Sequence, residues 1–130
     1  MIGLLFRIRV EVRVHAHHVE LVCSGKFSRA EAFRVGEQAF REAADAGRRS
    51  VLVDVRSVNG RIPTILDRFD VGVHIAARHL EQKPRVRIAI LGHEPMIHPE
   101  RFGEIVARNR GADARVFTNE ADAIEWLTAV

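Results

Sequence analysis

Seven histidines are the first residues whose type suggests chemistry, because imidazole binds metal ions and exchanges protons near neutral pH. His15 and His17 are two residues apart, a spacing that places both side chains on one face of a strand, and His18 follows directly. His93 and His98 form a second cluster, but they are five residues apart with a proline between them. A helical zinc site of the protease type needs two histidines four residues apart. We therefore expect solvated histidines at a turn and in a loop, and no metal site.

Nucleophiles and carboxylates give no stronger indication of catalysis. The single cysteine, Cys23, has no second cysteine for a structural zinc site, and it lies at an apolar position of a predicted strand. Asp54 ends a predicted buried strand, where we expect it to accept hydrogen bonds from the backbone amides that follow. The glycines occur singly and form no phosphate-binding loop. With no catalytic triad, carboxylate pair or nucleotide motif, the sequence predicts a protein that is not an enzyme and has no cofactor.

Basic residues near the carboxyl ends of the predicted parallel strands are the best candidates for a ligand site. Ligands bind at that edge in open α/β sheets. Arg56, Arg61, Arg68 and His93 lie in the two segments that follow those strands. Two interpretations remain open: the side chains converge to accept an anion, or they are ordinary solvated charges in loops.

The N-terminal residues that lead into these elements predict a β-hairpin. Apolar residues alternate with arginines and a glutamate from Ile2 to Val14, which is typical of a strand with one buried face. The alternation shifts by one residue at His17 and His18, and a second strand is predicted from Val19 to Cys23. We therefore expect a first strand that ends near His15 and a tight turn after it.

Helices and strands alternate after the hairpin. Ser28 with Glu31, and Thr64 with Asp67, have the spacing of helix-capping residues. The predicted helices are Ser28–Ala46, one that Thr64 caps, one from Pro99 to just before Gly111, and one that Asn119 caps. The predicted strands are Val51–Val55, Val86–Leu91 and Ala114–Phe117, with a loop from Arg56 to Pro63. The core-facing stripe predicted for the second helix is Ile65, Phe69, Val73, Ala76 and Leu80.

This order predicts an α/β fold with a mixed sheet of about five strands, an N-terminal hairpin followed by alternating helices and strands, flanked by four helices. The chain of 130 residues suits a single domain over residues 1–130. With 47% hydrophobic and 28% charged residues, one cysteine and no long apolar run, we expect a cytoplasmic protein without a membrane span. Its arginines are scattered along the chain and mixed with acidic residues, so we expect no nucleic-acid partner.

Several short segments, in this order and spacing, carry a resemblance to a known family. They are Cys23–Ser28, Val51–Val55, Leu66–Phe69 with Gly72, Val106–Gly111, Val116–Thr118 and Ala123–Leu127. The sequence resembles the STAS superfamily, and within it the SpoIIAA-like family of small bacterial proteins related to anti-anti-sigma factors. The resemblance implies about five strands with four helices, and a non-enzymatic role as a protein-binding regulatory domain.

The resemblance also identifies a candidate phosphoacceptor. Switch members of the family have a phosphorylated serine in an Asp-Ser-Ser-Gly-like motif where the second helix begins. Here the matching stretch is Asn59–Ile65, which lacks that motif and offers only Thr64, with Ser57 a few residues earlier. A phosphate at a helix N-terminus is electrostatically favourable, but we expect Thr64 to be a helix cap instead.

Two functions from different classes follow. The first is a regulatory domain that binds another protein, such as a kinase, an anti-sigma factor or a sensor. Its contact is expected in the loop before the second helix and on that helix, at Arg61, Thr64, Asp67 and Arg68. The full set of candidate partner- or ligand-binding residues adds three more from the loops at this edge of the sheet, namely Arg56, Asn59 and His93. The second is a carrier of a small molecule or lipid at the same loops, as the resemblance to lipid-handling folds implies. The edge of the first strand also allows a homodimer.

Overall fold

The computed structural model describes residues 7–129. The strands are β1 (Arg9–Val14), β2 (Val19–Lys26), β3 (Ser50–Asn59), β4 (Arg87–Leu91) and β5 (Ala114–Phe117). The helices are α1 (Arg29–Ala46), α2 (Ile65–Glu81), α3 (Phe102–Asn109) and α4 (Glu120–Thr128). The part of the predicted first strand from Ile2 to Phe6 lies outside the described residues.

The five strands form one mixed sheet in the order β1-β2-β3-β4-β5. β1 pairs antiparallel with β2, as the predicted hairpin requires, and the other neighbours pair in parallel. Each parallel connection passes through a helix, as parallel strands need long crossovers. The predicted α/β class and the hairpin followed by alternation are confirmed.

Helices cover the two faces of the sheet unequally. The larger core lies on the face covered by α1, α2 and α3, where Leu21, Val51 and Phe40 are almost completely buried. The smaller core lies beneath α4 and is built around Leu52 and Leu91. Successive residues of a strand point to opposite faces, so β3 contributes Val51 to one core and Leu52 to the other.

The ends of α1 agree with the capping pattern in its sequence. The Ser28 hydroxyl accepts a hydrogen bond from the Glu31 amide, and Gly47 ends the helix with a left-handed φ of 65°. The Glu31 carboxylate accepts from the Ile8 amide at 2.6 Å and also binds Arg34. The cap therefore fixes the start of α1 against the chain that leads into β1.

β2 and β3 are longer than the sequence predicted. β3 continues to Asn59 because Ser57, Val58 and Asn59 pair with the last residues of β2. The segment predicted as a loop from Arg56 is therefore partly strand. An irregularity in the β2–β3 pairing shifts the alternation, and this turns Val58 toward the core that also contains Val53.

The apolar stripe predicted for α2 was wrong, although the helix begins after Thr64 as expected. Ile65 is 54% exposed and Leu80 is 61% exposed, whereas Ile75 and His79 are buried. Only Ala76 of the predicted stripe is buried. The buried face of the helix includes Gly72 and the polar residues Asp67 and His79. The spacing of the apolar residues therefore indicated the wrong side of the helix.

α3 begins later than predicted. Its first residue is Phe102, and Arg101 precedes it with a left-handed φ of 57°, so Pro99 belongs to the preceding turn and is not the first helical residue. The helix ends before Gly111, as expected. Among the described residues, no helix is long and apolar enough to cross a membrane.

Candidate functional site

A cavity of about 170 Å³ lies between the sheet and helices α1 and α2. Its lining is almost entirely apolar, and the two charged residues on it, Asp67 and Arg68, both come from α2. The residues that line it are Ile8, Cys23, Phe27, Ala32, Val35, Gly36, Ala39, Val53, Val55, Val58, Pro63, Asp67, Arg68, Val71, Ile75, Ile88, Ile90, Met96 and Ile97.

A second cavity of about 120 Å³ adjoins the first. It lies between α2, α3 and the sheet, and the two cavities share six residues of their lining. The shared residues are Arg68, Val71, Ile75, Ile90, Met96 and Ile97. The two spaces therefore lie side by side beneath α2 and have a wall in common.

Small residues on α1 help to keep the first cavity open. Ala32, Gly36 and Ala39 recur along the helix face that lines it. A Cβ built on Gly36 meets only the Ile75 side chain, at 4.0 Å. Because native interiors are normally close-packed, a space of this size beside short side chains is a candidate binding site.

The segment after β4 closes the other side of the cavities. Gly92 follows the strand, and a Cβ at this position would lie 2.9 Å from side-chain atoms of Ile97 and Val55. Glycine is therefore required for the turn to pack against β3. This close approach places Met96 and Ile97 in the lining of both cavities.

Arg68 is a charged residue that lines both cavities. Its Nη1 donates to the Met96 carbonyl and its Nη2 to the Pro95 carbonyl, each at 2.9 Å. Its Nε is buried and has no hydrogen-bond partner among the described residues. Burial lowers the pKa of the guanidinium, and the neighbouring Asp67 only partly offsets this effect.

Asp67 is held at the start of α2 by hydrogen bonds with Arg61 and Thr64. Its Oδ2 accepts from Arg61 Nη1 at 2.6 Å and from the Thr64 amide at 2.8 Å, while its own amide donates to the Thr64 hydroxyl. The two bonds between Thr64 and Asp67 form a capping box, in agreement with the capping spacing in the sequence. The hydrogen bond from Arg61 is the main reason that the pKa of the buried Asp67 carboxyl lies far below its ordinary value.

Arg56 belongs to a different group, on the face of the sheet that α4 covers. It binds the buried Asp54 through both Nε and Nη2 and also contacts Glu120 at 2.7 Å. Burial alone would raise the pKa of Asp54, but its hydrogen bonds with Arg56 outweigh this and hold the pKa below its ordinary value. Asp54 also accepts from the Arg56 backbone amide, as the sequence predicted.

The candidate residues are therefore placed in two groups. Arg61, Thr64, Asp67 and Arg68 surround the start of α2 beside the cavities. Arg56 is near Asp54, whose carboxylate also feels the charge of the exposed His93. Asn59 is exposed at the end of β3, where its carbonyl accepts from the Phe27 amide. The guanidinium groups of Arg56, Arg61 and Arg68 are each bound to carboxylates or backbone carbonyls.

Cys23 lies at the bottom of the first cavity and is fully buried, which confirms the prediction that it is a core residue. Burial raises the pKa of its thiol to about 12. A thiol with this pKa remains protonated near neutral pH, and a protonated thiol is a poor nucleophile.

One acidic group that sequence reasoning missed is Glu20, Asp54 and Glu120, whose oxygens lie within 4.8 Å of one another. Residues distant in sequence meet here because β2, β3 and α4 lie side by side. Arg56 already binds two of the three carboxylates. His15, one of the two histidines that the sequence places on one strand face, makes other contacts. Its ring stacks on the His18 ring with centroids 4.5 Å apart, and its Nε2 contacts Glu20.

An exposed apolar patch is formed by Ile62, in the loop just before α2, and by Ile65, Leu66 and Phe69 in the first turns of the helix. We call these four residues the α2 patch. The Arg110 guanidinium lies over the Phe69 ring, 5.1 Å from its centroid. Exposed apolar residues grouped in this way mark surfaces that contact other molecules.

The sequence contained a signal for this patch that periodicity alone misread. Apolar residues lie on two sides of α2. Their periodicity favours the side with Ile65, Phe69 and Leu80 as the core face, whereas the side with Ile75 is the one that is buried. Gly72 was the better indication, because a Cβ there would lie 3.0 Å from the Gly103 carbonyl and from Val106. The side that contains this glycine is the side that packs against α3.

The sequence model of the SpoIIAA-like family matches residues 18–128. No curated protein matches the sequence closely enough to count as a relative.

Solved structures share the fold at low sequence identity. An anti-sigma factor antagonist from Mycobacterium paratuberculosis aligns with a TM-score of 0.61 and 14% identity, over 94% of this chain and 95% of that one. An uncharacterised protein with a SpoIIAA-like fold from Shewanella loihica PV-4 aligns with a TM-score of 0.51 and 18% identity, over 93% of each chain. At these identities the similarity shows the fold alone.

Proposed function

The chain belongs to the SpoIIAA-like family, and from this premise we propose that it is a non-enzymatic regulatory domain that binds another protein in the bacterial cytoplasm. The α2 patch is the observation that carries the proposal. It lies beside the loop and helix start that the resemblance to switch members of the family matches to their phosphorylated region. The name of the antagonist from Mycobacterium paratuberculosis supports a role in regulation.

The chemistry of the α2 patch suggests the kind of partner. Ile62, Ile65 and Leu66 offer apolar area that is favourable to remove from water. Arginines flank this area, since Arg110 covers Phe69 and Arg61 lies near the start of the helix. We infer that the partner contributes apolar side chains surrounded by carboxylates. A kinase, an anti-sigma factor or a sensor subunit would satisfy the proposal.

Capture of partners from the source organism, followed by mass spectrometry, tests this proposal. Leu66→Gln should reduce the yield of the captured partner at least tenfold. Leu80→Gln is a matched control, because it changes the same residue type on the same helix at nearly equal exposure, 61% against 62%. Equal loss for both variants, or no loss for either, would exclude the α2 patch as the contact.

Phosphorylation of Thr64 is a finer part of the regulatory proposal. The Thr64 hydroxyl accepts a hydrogen bond from the Asp67 amide. A phosphate there would gain from the helix N-terminus but would also lie near the Asp67 carboxylate, which already binds Arg61. Phosphate found on Thr64 or Ser57 of protein isolated from its source would establish the switch.

A second candidate function is a carrier of a small molecule or lipid. The specific observation that favours it is the pair of adjoining apolar cavities beneath α2. An apolar cavity of about 150 Å³ is large enough to bind benzene, so each cavity has room for a small apolar group. Native mass spectrometry of protein isolated from its source should then detect a bound molecule that denaturation releases.

We also propose that two copies of the chain associate through β1. β1 is an edge of the sheet over the described residues. The His15 amide donates to the His18 carbonyl, so alternation directs the backbone groups of Val10, Val12 and Val14 away from β2. Antiparallel pairing of two copies about Val12 would place Arg13 of one copy opposite Glu11 of the other.

A further inference from the structure

We propose that the two adjoining cavities form one binding site for an apolar monocarboxylic acid, and that Arg68 binds its carboxylate where the cavities meet. This inference names the ligand class and rests on the carrier function proposed above. The regulatory proposal does not depend on it.

The unsatisfied donor of Arg68 indicates what the ligand must offer. A guanidinium has five N–H donors, and here the protein partners are two backbone carbonyls. The buried Nε lacks an acceptor within the described part of the chain. A buried donor without an acceptor is unfavourable, so a ligand oxygen at this position would supply the missing hydrogen bond.

The charge of Arg68 indicates that this oxygen belongs to an anion. Its nearest acidic neighbour in sequence, Asp67, is already bound by Arg61 and by the Thr64 amide. Glu104, in the second cavity, accepts from the Val116 amide. Arg68 itself donates to neutral carbonyls, and none of the carboxylates in residues 7–129 is bound directly to it. A carboxylate matches the planar guanidinium and would neutralise it in an apolar environment.

The shape of the site indicates that the rest of the ligand is apolar. Val71, Ile75 and Ile90 lie on the walls of both cavities. The first cavity, at about 170 Å³, has room for a group of the size of benzene, and the second, at about 120 Å³, for a smaller one, so the ligand has on the order of ten carbons. In the first cavity, whose only charged lining residues are Asp67 and Arg68, a second polar group on the ligand would have to leave water without a partner.

Titration of the purified, delipidated full chain with decanoic acid and with decanol tests the proposal. Calorimetry gives the affinities, and NMR shifts of Val71 and Ile75 methyl groups report the site. In the unmodified protein we expect 1:1 binding of the acid, at least tenfold tighter than the alcohol. Arg68→Met keeps an apolar side chain but removes the charge, so it should abolish this preference.

Three further variants separate the role of Arg68 from loss of folding. Arg68→Lys should retain a preference for the acid, because it keeps a positive charge. Arg108→Met changes an exposed arginine of α3 that lines neither cavity, and it should leave the preference unchanged. Val71→Trp fills the junction of the cavities and should weaken binding of both compounds.

The outcomes distinguish the inference from the carrier function. Equal affinities for acid and alcohol in the unmodified protein would overturn the role of Arg68 while the carrier function survives. Binding of neither compound, with no displacement of methyl resonances, would overturn the ligand class. A bound molecule of another class in protein from the source would then still support a carrier, and its absence would remove that function too.

Discussion

At the scale of single residues, Thr64 has a structural role as a helix cap, and a regulatory role as a phosphorylation site is proposed for it. Its hydroxyl caps α2 by accepting from the Asp67 amide. Thr64→Ala should lower the free energy of unfolding by about 1 kcal/mol, the usual contribution of such a cap. Urea unfolding measures this change, and Thr118→Ala, at an exposed threonine outside the caps, serves as the control. If Thr64→Ala abolishes partner capture at a temperature where it remains folded, the switch gains support.

Asp67 should govern part of the stability in acid. Because Arg61 holds the pKa of its carboxyl far below the ordinary value of 3.8, the folded state binds this proton less readily than the unfolded state. The stabilisation is present above about pH 4 and is lost as the pH falls below that. Asp67→Asn should flatten this decline while lowering stability at neutral pH. Asp45→Asn, at an exposed position, should leave the decline intact.

Cys23 should have the opposite dependence, at alkaline pH. The unfolded thiol ionises near its ordinary value of 9.0, whereas burial raises the pKa in the folded protein to about 12. Stability is therefore complete below pH 9 and falls between pH 9 and 12, by at most about 1.4 kcal/mol per pH unit. The chain contains no tyrosine to obscure this. If Cys23→Ala declines as steeply as the unmodified protein in this range, the thiol is not responsible.

At the scale of elements, two helical glycines should respond in opposite ways to the same change. Gly72 lies where α2 approaches α3, and its added Cβ would be 3.0 Å from a backbone carbonyl. Gly72→Ala should therefore destabilise the protein by about 1–3 kcal/mol. Gly36→Ala adds the same methyl group beside the cavity, with 4.0 Å to the nearest side chain, and should stabilise α1 by up to about 1 kcal/mol. Thermal unfolding of both variants measures the contrast.

At the scale of the whole molecule, the proposed dimer depends on opposite charges across paired β1 strands. Glu11→Arg would place arginines opposite each other and should shift the protein toward monomer in sedimentation equilibrium. The double variant Glu11→Arg/Arg13→Glu restores opposite charges between copies and also the 2.6 Å ion pair within the strand. Dimerisation should therefore return. A monomeric unmodified protein, or a double variant that stays monomeric, would contradict this pairing.

Local signals in the sequence were enough to predict the order of elements and several of their ends. Alternation predicted β1 and β2, and short apolar runs predicted β3, β4 and β5. Ser28, Thr64 and Asn119 cap their helices as predicted. These features depend on interactions between residues within a few positions of one another, so the local sequence is enough to predict them. The family resemblance, which rests on the same order, agrees with the match over residues 18–128.

Tertiary packing decided which side of α2 is buried and where the candidate site lies. The sequence contains Ile65 and Ile75 in one helix, but only the approach of α3 at Gly72 shows that Ile75 faces inward. The extension of β3 depends on pairing with β2, and the cavities depend on side chains spread along the sequence from Ile8 to Val116. Arg68 gave no local sign that its Nε would be buried without an acceptor. Contacts between distant residues create these features, so they arise only when the chain has folded.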